Sequence, residues 1–293
     1  MPDSADLSSP ASTGEKGQIA AAVTHIKARL KAADDYREAV RPRPGSPEAD
    51  ELRGWRGNHP GATAELLLVS SGFHLLTFAA VLSGREPLYP FGGFTLLRGA
   101  AEPAARAAWI TDPDISPFDQ RARVLVERLD ALRERRKFTN TRAEANERIA
   151  ELVSDATALG HHAVDGKRLK PEHFGQPRPE ATNLFARLLP DIAGLGGDAP
   201  GGRLYRVLSA FSHSALWAVL AQRKSEGESS PGMKSAMLVL NVDWLMGTLG
   251  QVLKLHSIAM RRLAGQIGEG PERWDRILQG LPSPTGPGRT PTT

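Results

Sequence analysis

The chain has 293 residues, of which 40% are hydrophobic and 24% charged, with a formal net charge of +4 at pH 7. This is the composition of an ordinary globular protein and excludes a disordered or fibrous chain; the small positive excess permits attraction to anions without demanding a polyanionic partner. No cysteine occurs, which excludes disulfides, thiolate catalysis and thiolate metal sites and fits a reducing cytoplasm.

Met1 to Gly14 is rich in Ser, Asp, Ala and Pro and lacks both the basic and the apolar region of a secretory signal, so residues 1–14 are expected to be a disordered tail. Gln18 to Val40 reads as a first helix, with Ile19, Val23, Ile26 and Leu30 at helical spacing. After Pro42 and Pro44, Ser46 and Pro47 cap a short helix that Gly54 and Gly57 end. Ala62 to Leu82 is a long apolar helix that stops at Gly84. Glu86 to Gly93 is a Pro- and Gly-rich loop, and Phe94 to Ile110 is a helix with Pro103 inside, where a kink is expected.

Ser116-Pro117 starts an amphipathic helix carrying Phe118, Ala122, Leu125, Leu129 and Leu132 on one face. Thr141 and Glu144 have the spacing of a capping box, followed by Ala145, Ile149, Leu152 and Ala156 up to Gly160. These two segments predict an antiparallel helical hairpin. His161 to Glu180 is polar and irregular, a long connection of the kind that often carries function. A short helix over Ala181 to Leu189, a Gly-rich link over Pro190 to Gly202 and a helix over Leu204 to Arg223 follow. Ser230-Pro231 opens a last long helix reaching Leu263 or Gln266, and Pro271 to Gly280 closes the fold. The expectation is an all-α, irregular multi-helix bundle: one helical domain over residues 15–281, with a second disordered tail over 282–293.

Two stretches, Leu66 to Leu82 and Met237 to Leu255, are apolar enough to require a membrane test. Ser70, Ser71, His74 and Thr77 interrupt the first, and Asn241, Asp243 and Gln251 the second, so both read as bundle helices with no membrane contact.

The helix from Leu204 carries the most chemistry. Leu204, Leu208, Phe211 and Ala215 form an apolar stripe, whereas Arg206, Ser209 and His213 lie opposite, Arg206 and His213 differing by only about 20° around the axis. Trp217 and Leu220 extend that face, which points to a cleft, a helix or another subunit. An imidazole can move a proton near neutral pH and a guanidinium can hold a phosphate, a pairing suited to phosphodiester cleavage. The competing reading is structural, with His213 a packing residue and Arg206 paired to Asp243 or Glu102.

The segment Tyr205-Arg206-Val207-Leu208-Ser209-Ala210-Phe211-Ser212-His213 resembles the motif of the HEPN superfamily, an Arg followed after four to six residues by His. Leu97-Arg98-Gly99-Ala100-Ala101-Glu102 is similar to a helix of bacterial proteins loosely related to that superfamily. The resemblance implies a helical bundle of a toxin or antiviral system and a metal-independent endoribonuclease assembled as a homodimer. Arg206 and His213 would be its catalytic pair, supported by Tyr205, Ser209, Glu102 and Arg98, and RNA or a nucleotide its ligand. No cofactor and no metal are expected. The alternative that stays open is a non-catalytic homodimer or adaptor in which Arg206 and His213 are structural.

Elsewhere, Arg98, Glu102 and Arg106 are four residues apart and form an ion-pair ladder on one helix face, with Glu102 a candidate to orient Arg206 or His213. His161, His162, Asp165 and His173 are metal-ligand types at a spacing that matches no familiar site. His74 reads as a core histidine and Asp243 as a buried acid in need of a partner. The basic runs Arg133 to Lys137 and Lys167 to Lys170 read as solvated ends.

Overall fold

The computed structural model describes residues 13–40, 59–84, 90–165, 171–190, 200–213, 223–230, 233–238, 242–266 and 270–283. The short helix expected at Ser46 lies outside them, as do Trp217, Leu220 and most of both tails. The fold is all-α. Its helices are α1 (Thr13–Val40), α2 (Pro60–Ser83), α3 (Pro90–Ile110), α4 (Pro117–Arg135), α5 (Arg142–Ala158), α6 (Ala181–Leu188), α7 (Pro200–Ser212), α8 (Val242–Gln266) and α9 (Pro271–Gln279). Two antiparallel two-stranded ladders are attached to this frame: β1 (Val164–Asp165) with β2 (Pro171–His173), and β3 (Arg223–Ser230) with β4 (Met233–Leu238).

Helix α3 is the hub, packing against α2, α8, α7, α6 and α4. The reason is compositional. Ala100, Ala101, Ala104, Ala105, Ala107 and Ala108 are all fully buried, and a methyl side chain lets neighbouring helix axes approach more closely than a leucine would. Larger residues at its ends, Phe94, Leu97 and Ile110, anchor it in a core shared with Leu68, Leu75 and Phe78 of α2 and Leu249, Val252 and Leu255 of α8. Phe94 stacks on Phe211 of α7 with ring centroids 4.0 Å apart, and Trp244 of α8 closes edge-on against both rings. Pro103 sits within an uninterrupted α3; lacking an N–H, it leaves the Gly99 carbonyl without its helical donor.

Several boundaries differ from those read in the sequence. Helix α1 begins at Thr13, five residues before Gln18 and inside the expected tail. Helix α3 begins at Pro90 rather than Phe94 because proline at a first turn needs no donor. The helix expected from Leu204 to Arg223 runs from Pro200 to Ser212, with His213 in the turn that follows. The helix expected to open at Ser230 instead begins at Val242, because Arg223–Ser230 and Met233–Leu238 pair as the antiparallel strands β3 and β4. The connection over 161–180 likewise contains the small β1–β2 ladder.

The capping predictions divide. At α4, Ser116 Oγ accepts from the Asp119 N–H at 3.1 Å and donates to Asp119 Oδ2 at 2.7 Å. At α5 no capping box forms: Thr141 Oγ1 donates to the Arg135 carbonyl, and Glu144 pairs with Arg135 at 2.9 Å. The basic end of α4 captures both groups first. Helices α4 and α5 pack together as the expected hairpin requires.

Candidate functional site

The site forms where α7 crosses α3. Leu204, Leu208 and Phe211 bury the inner side of α7, and that packing turns Arg206 and His213 outward, where both are exposed. Gly201 permits the approach at the base of α7. A Cβ there would fall inside the Phe185 carbonyl of α6, so only glycine lets the first turn of α7 lie on the end of α6.

Arg98 is the centre of the polar network. From α3 its Nε donates to Glu102 Oε1 at 2.7 Å, one turn along the same helix. Its Nη1 lies 2.9 Å from His213 Nε2, and its Nη2 donates to Tyr205 Oη at 3.4 Å. The guanidinium carbon also stands 5.6 Å from the Tyr205 ring centroid, within cation–π range. A guanidinium can only donate, so His213 Nε2 is the acceptor and the neutral imidazole carries its proton on Nδ1. Burial opposes the charge on Arg98, but the Glu102 hydrogen bond and carboxylate, with Tyr205, outweigh it and raise the guanidinium above its ordinary value. The charge on Arg98 is therefore held firmly.

Tyr205 is positioned from below by Phe185, whose ring meets it edge-on with centroids 5.2 Å apart. Arg206 lies on the neighbouring outer turn and its Nε donates to the Gly202 carbonyl at 3.4 Å. Ser209 takes part through its backbone, its carbonyl accepting the His213 N–H at 3.0 Å.

Four residues expected at the site are thus gathered into one network: Arg98, Glu102, Tyr205 and His213. The order of contact differs from the expected one. Glu102 holds Arg98, and it is Arg98 that meets His213. The ladder on α3 is also shorter than expected, because Arg106 turns away to Glu127 of α4. Phe185 was not legible as a site residue, since its role depends on the α6–α7 crossing and leaves no spacing signal.

The histidines of the long connection diverge. His161 is buried with its ring stacked on Phe118 at 3.9 Å, whereas His162 is exposed and His173 Nδ1 accepts the Gly175 N–H. Among the described residues no group of three or more acidic or imidazole side chains converges on a point where a metal ion could sit. His74 is half-buried and packs against Gly99, where an added Cβ would lie 2.6 Å from Nδ1. Asp243 is exposed in the first turn of α8 rather than buried, a favourable place for a negative charge at a helix N-terminus.

Two further polar clusters tie helices together. Glu127, only 4% exposed, is paired with Arg106 and with Arg178 at 3.7 Å, and Arg178 also reaches Asp130 at 3.2 Å. Burial lowers the Arg106 guanidinium to about 10. Arg123 donates to the Trp109 carbonyl at 2.5 Å and to Asp112 at 3.3 Å, and Arg262 of α8 reaches the same Asp112 at 3.4 Å. Both clusters join residues far apart in sequence.

No family model, characterised protein or solved structure matches this chain.

Proposed function

We propose that the Arg98, Tyr205, Arg206 and His213 face binds RNA phosphodiesters and cleaves them in the manner implied by the HEPN-like motif, without a metal. The observation that carries this reading is the 2.9 Å contact between Arg98 and His213: it places a permanent cation beside a proton-transfer group on an exposed turn. An incoming phosphate competes for the Arg98 N–H groups. When the Nη1 donor turns to phosphate it frees the lone pair on His213 Nε2.

The freed Nε2 takes the proton of a ribose 2′-hydroxyl as its oxygen attacks phosphorus. The bond from phosphorus to the 5′-oxygen breaks, and that oxygen takes up a proton from water, leaving a cyclic phosphate. Arg98 and Arg206 hold the charge that grows on the phosphoryl oxygens, and Glu102 keeps Arg98 aimed. The setting consistent with such an activity is a cytoplasmic toxin or antiviral system.

The test is cleavage of end-labelled single-stranded RNA by purified protein in EDTA, beside DNA of the same sequence. The expected result is RNA cut to cyclic phosphate ends, DNA left intact, and activity lost in His213→Ala with an unchanged circular dichroism spectrum. Intact RNA at stoichiometric protein would overturn the reading. The alternative, a non-catalytic homodimer or adaptor, is favoured by one observation: Arg206 turns to its own helix at Gly202. It predicts no turnover and a lower melting temperature for His213→Ala.

A further inference from the structure

A cleft of about 630 Å³ lies among the first residues of α2, α4 and α9 and the last turn of α8. Small-ligand sites have this size, roughly 300 to 1,000 Å³. The cleft lies past the far end of α3 from Arg98, roughly 20 Å along that helix at its ordinary rise. It shares no residue with the network around Arg98.

Its walls are apolar and stiff. Pro60, Pro117 and Pro271 are each the first residue of their helix, and Pro113 and Ile115 come from the connection between α3 and α4. A proline ring cannot swing aside as a longer side chain can, so the shape is set before a ligand arrives. Gly265 keeps the space open. Glycine is a poor helix former, yet here it stands within α8 with no positive φ to demand it, and an added Cβ meets nothing within 4 Å.

The polar groups of the lining are specific. Arg261 and Arg262 are its charged residues, and among the described residues that line it none is acidic. Each arginine is anchored through one edge. Arg261 Nε donates to Asp275 Oδ1 at 2.5 Å, while Arg262 Nη1 donates to the Ala108 carbonyl at 2.6 Å and pairs with Asp112 at 3.4 Å. Both Nη groups of Arg261, and Nε and Nη2 of Arg262, make no hydrogen bond among the described residues. Gln120 adds the opposite polarity. It is only 4% exposed, and its Nε2 is committed to the Asp112 carbonyl at 2.8 Å, which leaves Oε1 to accept from a ligand.

We infer that this cleft binds a small aromatic monocarboxylate that carries an N–H or O–H donor. The carboxylate takes the remaining N–H groups of Arg261 and Arg262, in the parallel pairing that a guanidinium offers. The ring lies against the prolines, and the donor reaches Gln120 Oε1. Asp112 and Asp275 already offset much of the arginine charge, which favours a single negative charge over a phosphate dianion. A flat ring suits stiff walls, because it has little rotational freedom to lose on binding. None of these residues takes part in the proposed RNA cleavage, so the two readings stand or fall separately.

The experiment titrates the full chain with 8-anilinonaphthalene-1-sulfonate, a fluorescent aromatic monoanion with one N–H, and then displaces it. Saturable binding is expected, displaced by 6-hydroxy-2-naphthoate and far less by 2-naphthalenemethanol or inorganic phosphate. Arg261→Gln should weaken it at least about tenfold, the worth of a charge-assisted hydrogen bond. Gly265→Leu, which fills the cleft from a position with room for a side chain, should abolish it at an unchanged melting temperature. Leu66→Glu, on the exposed side of α2, should leave it as it is. Binding that survives Gly265→Leu, or is lost in Leu66→Glu, overturns the inference. So does displacement by the alcohol or by phosphate as readily as by the naphthoate, or no saturable binding at all.

Discussion

Arg98 and His213 are 115 positions apart in the chain and meet at 2.9 Å, guanidinium Nη1 to imidazole Nε2. The contact joins the central helix of the fold to the turn that ends α7. It makes Arg98, rather than Arg206, the cation in direct contact with the imidazole. Replacing Arg98 by Lys keeps a charge but cannot reach Glu102, Tyr205 and His213 together, because an ammonium lacks the planar fork. Cleavage of RNA is expected to fall at least about tenfold in Arg98→Lys and about 100-fold or more in His213→Ala, read from single-turnover rates.

The buried histidines give the stability a pH dependence with a definite sign. Burial lowers His256 well below its ordinary 6.5, with Arg29 and Arg37 adding to the effect, and burial likewise lowers His25 and His161. Below pH 6.5 the unfolded chain takes up protons that the folded chain refuses, so stability is full above that value and declines as pH falls toward the folded values. Each such histidine contributes a slope of up to about 1.4 kcal/mol per pH unit. Melting temperature is expected to drop between pH 6.5 and 5, and less steeply in His256→Gln. A flat profile over that interval would contradict the assignment.

Glu127 is the buried acid that holds Arg106 and Arg178. Removing it leaves the half-buried Arg106 cation without its partner, and breaking a buried pair from one side costs about 3 to 5 kcal/mol. Glu127→Ala is expected to lose most of that in urea denaturation. Asp130→Ala, at the more exposed end of the same cluster, should lose under about 1 kcal/mol.

Gly201→Ala tests the crossing that builds the site. The added methyl group meets the Phe185 carbonyl, so α7 must shift from α6. The expected cost is about 1 to 3 kcal/mol, together with loss of the Phe185 and Tyr205 ring contact, which near-ultraviolet circular dichroism would register.

The helical class and most of the helix positions were legible because amphipathic spacing, caps and prolines are local signals. Ser116 capped α4 as its spacing predicts. Thr141 did not cap α5, since Arg135 took Glu144 and its own carbonyl took the Thr141 hydroxyl; that competition crosses a turn and is invisible to a motif. Met233 to Leu238 was assigned to the last helix because a short apolar run without a clear period cannot separate a strand from a helix, and its partner strand, Arg223 to Ser230, is wholly polar and carries no strand signal. At the site, Arg98, Glu102, Tyr205 and His213 were identifiable as chemistry. Their order of contact was not, because it depends on how α7 crosses α3.

The row of buried alanines in α3 has a consequence of its own. An alanine offers nothing to trim, and one added methylene pushes a neighbouring helix aside, so the distances from α3 to α2, α7 and α8 are fixed almost to the width of a carbon atom. On that rod Arg98 stands just before the run of methyl groups and Glu102 within it. Natural variation in the chain should therefore collect in the outer helices and connections, while α3 acts as the ruler from which the site is measured.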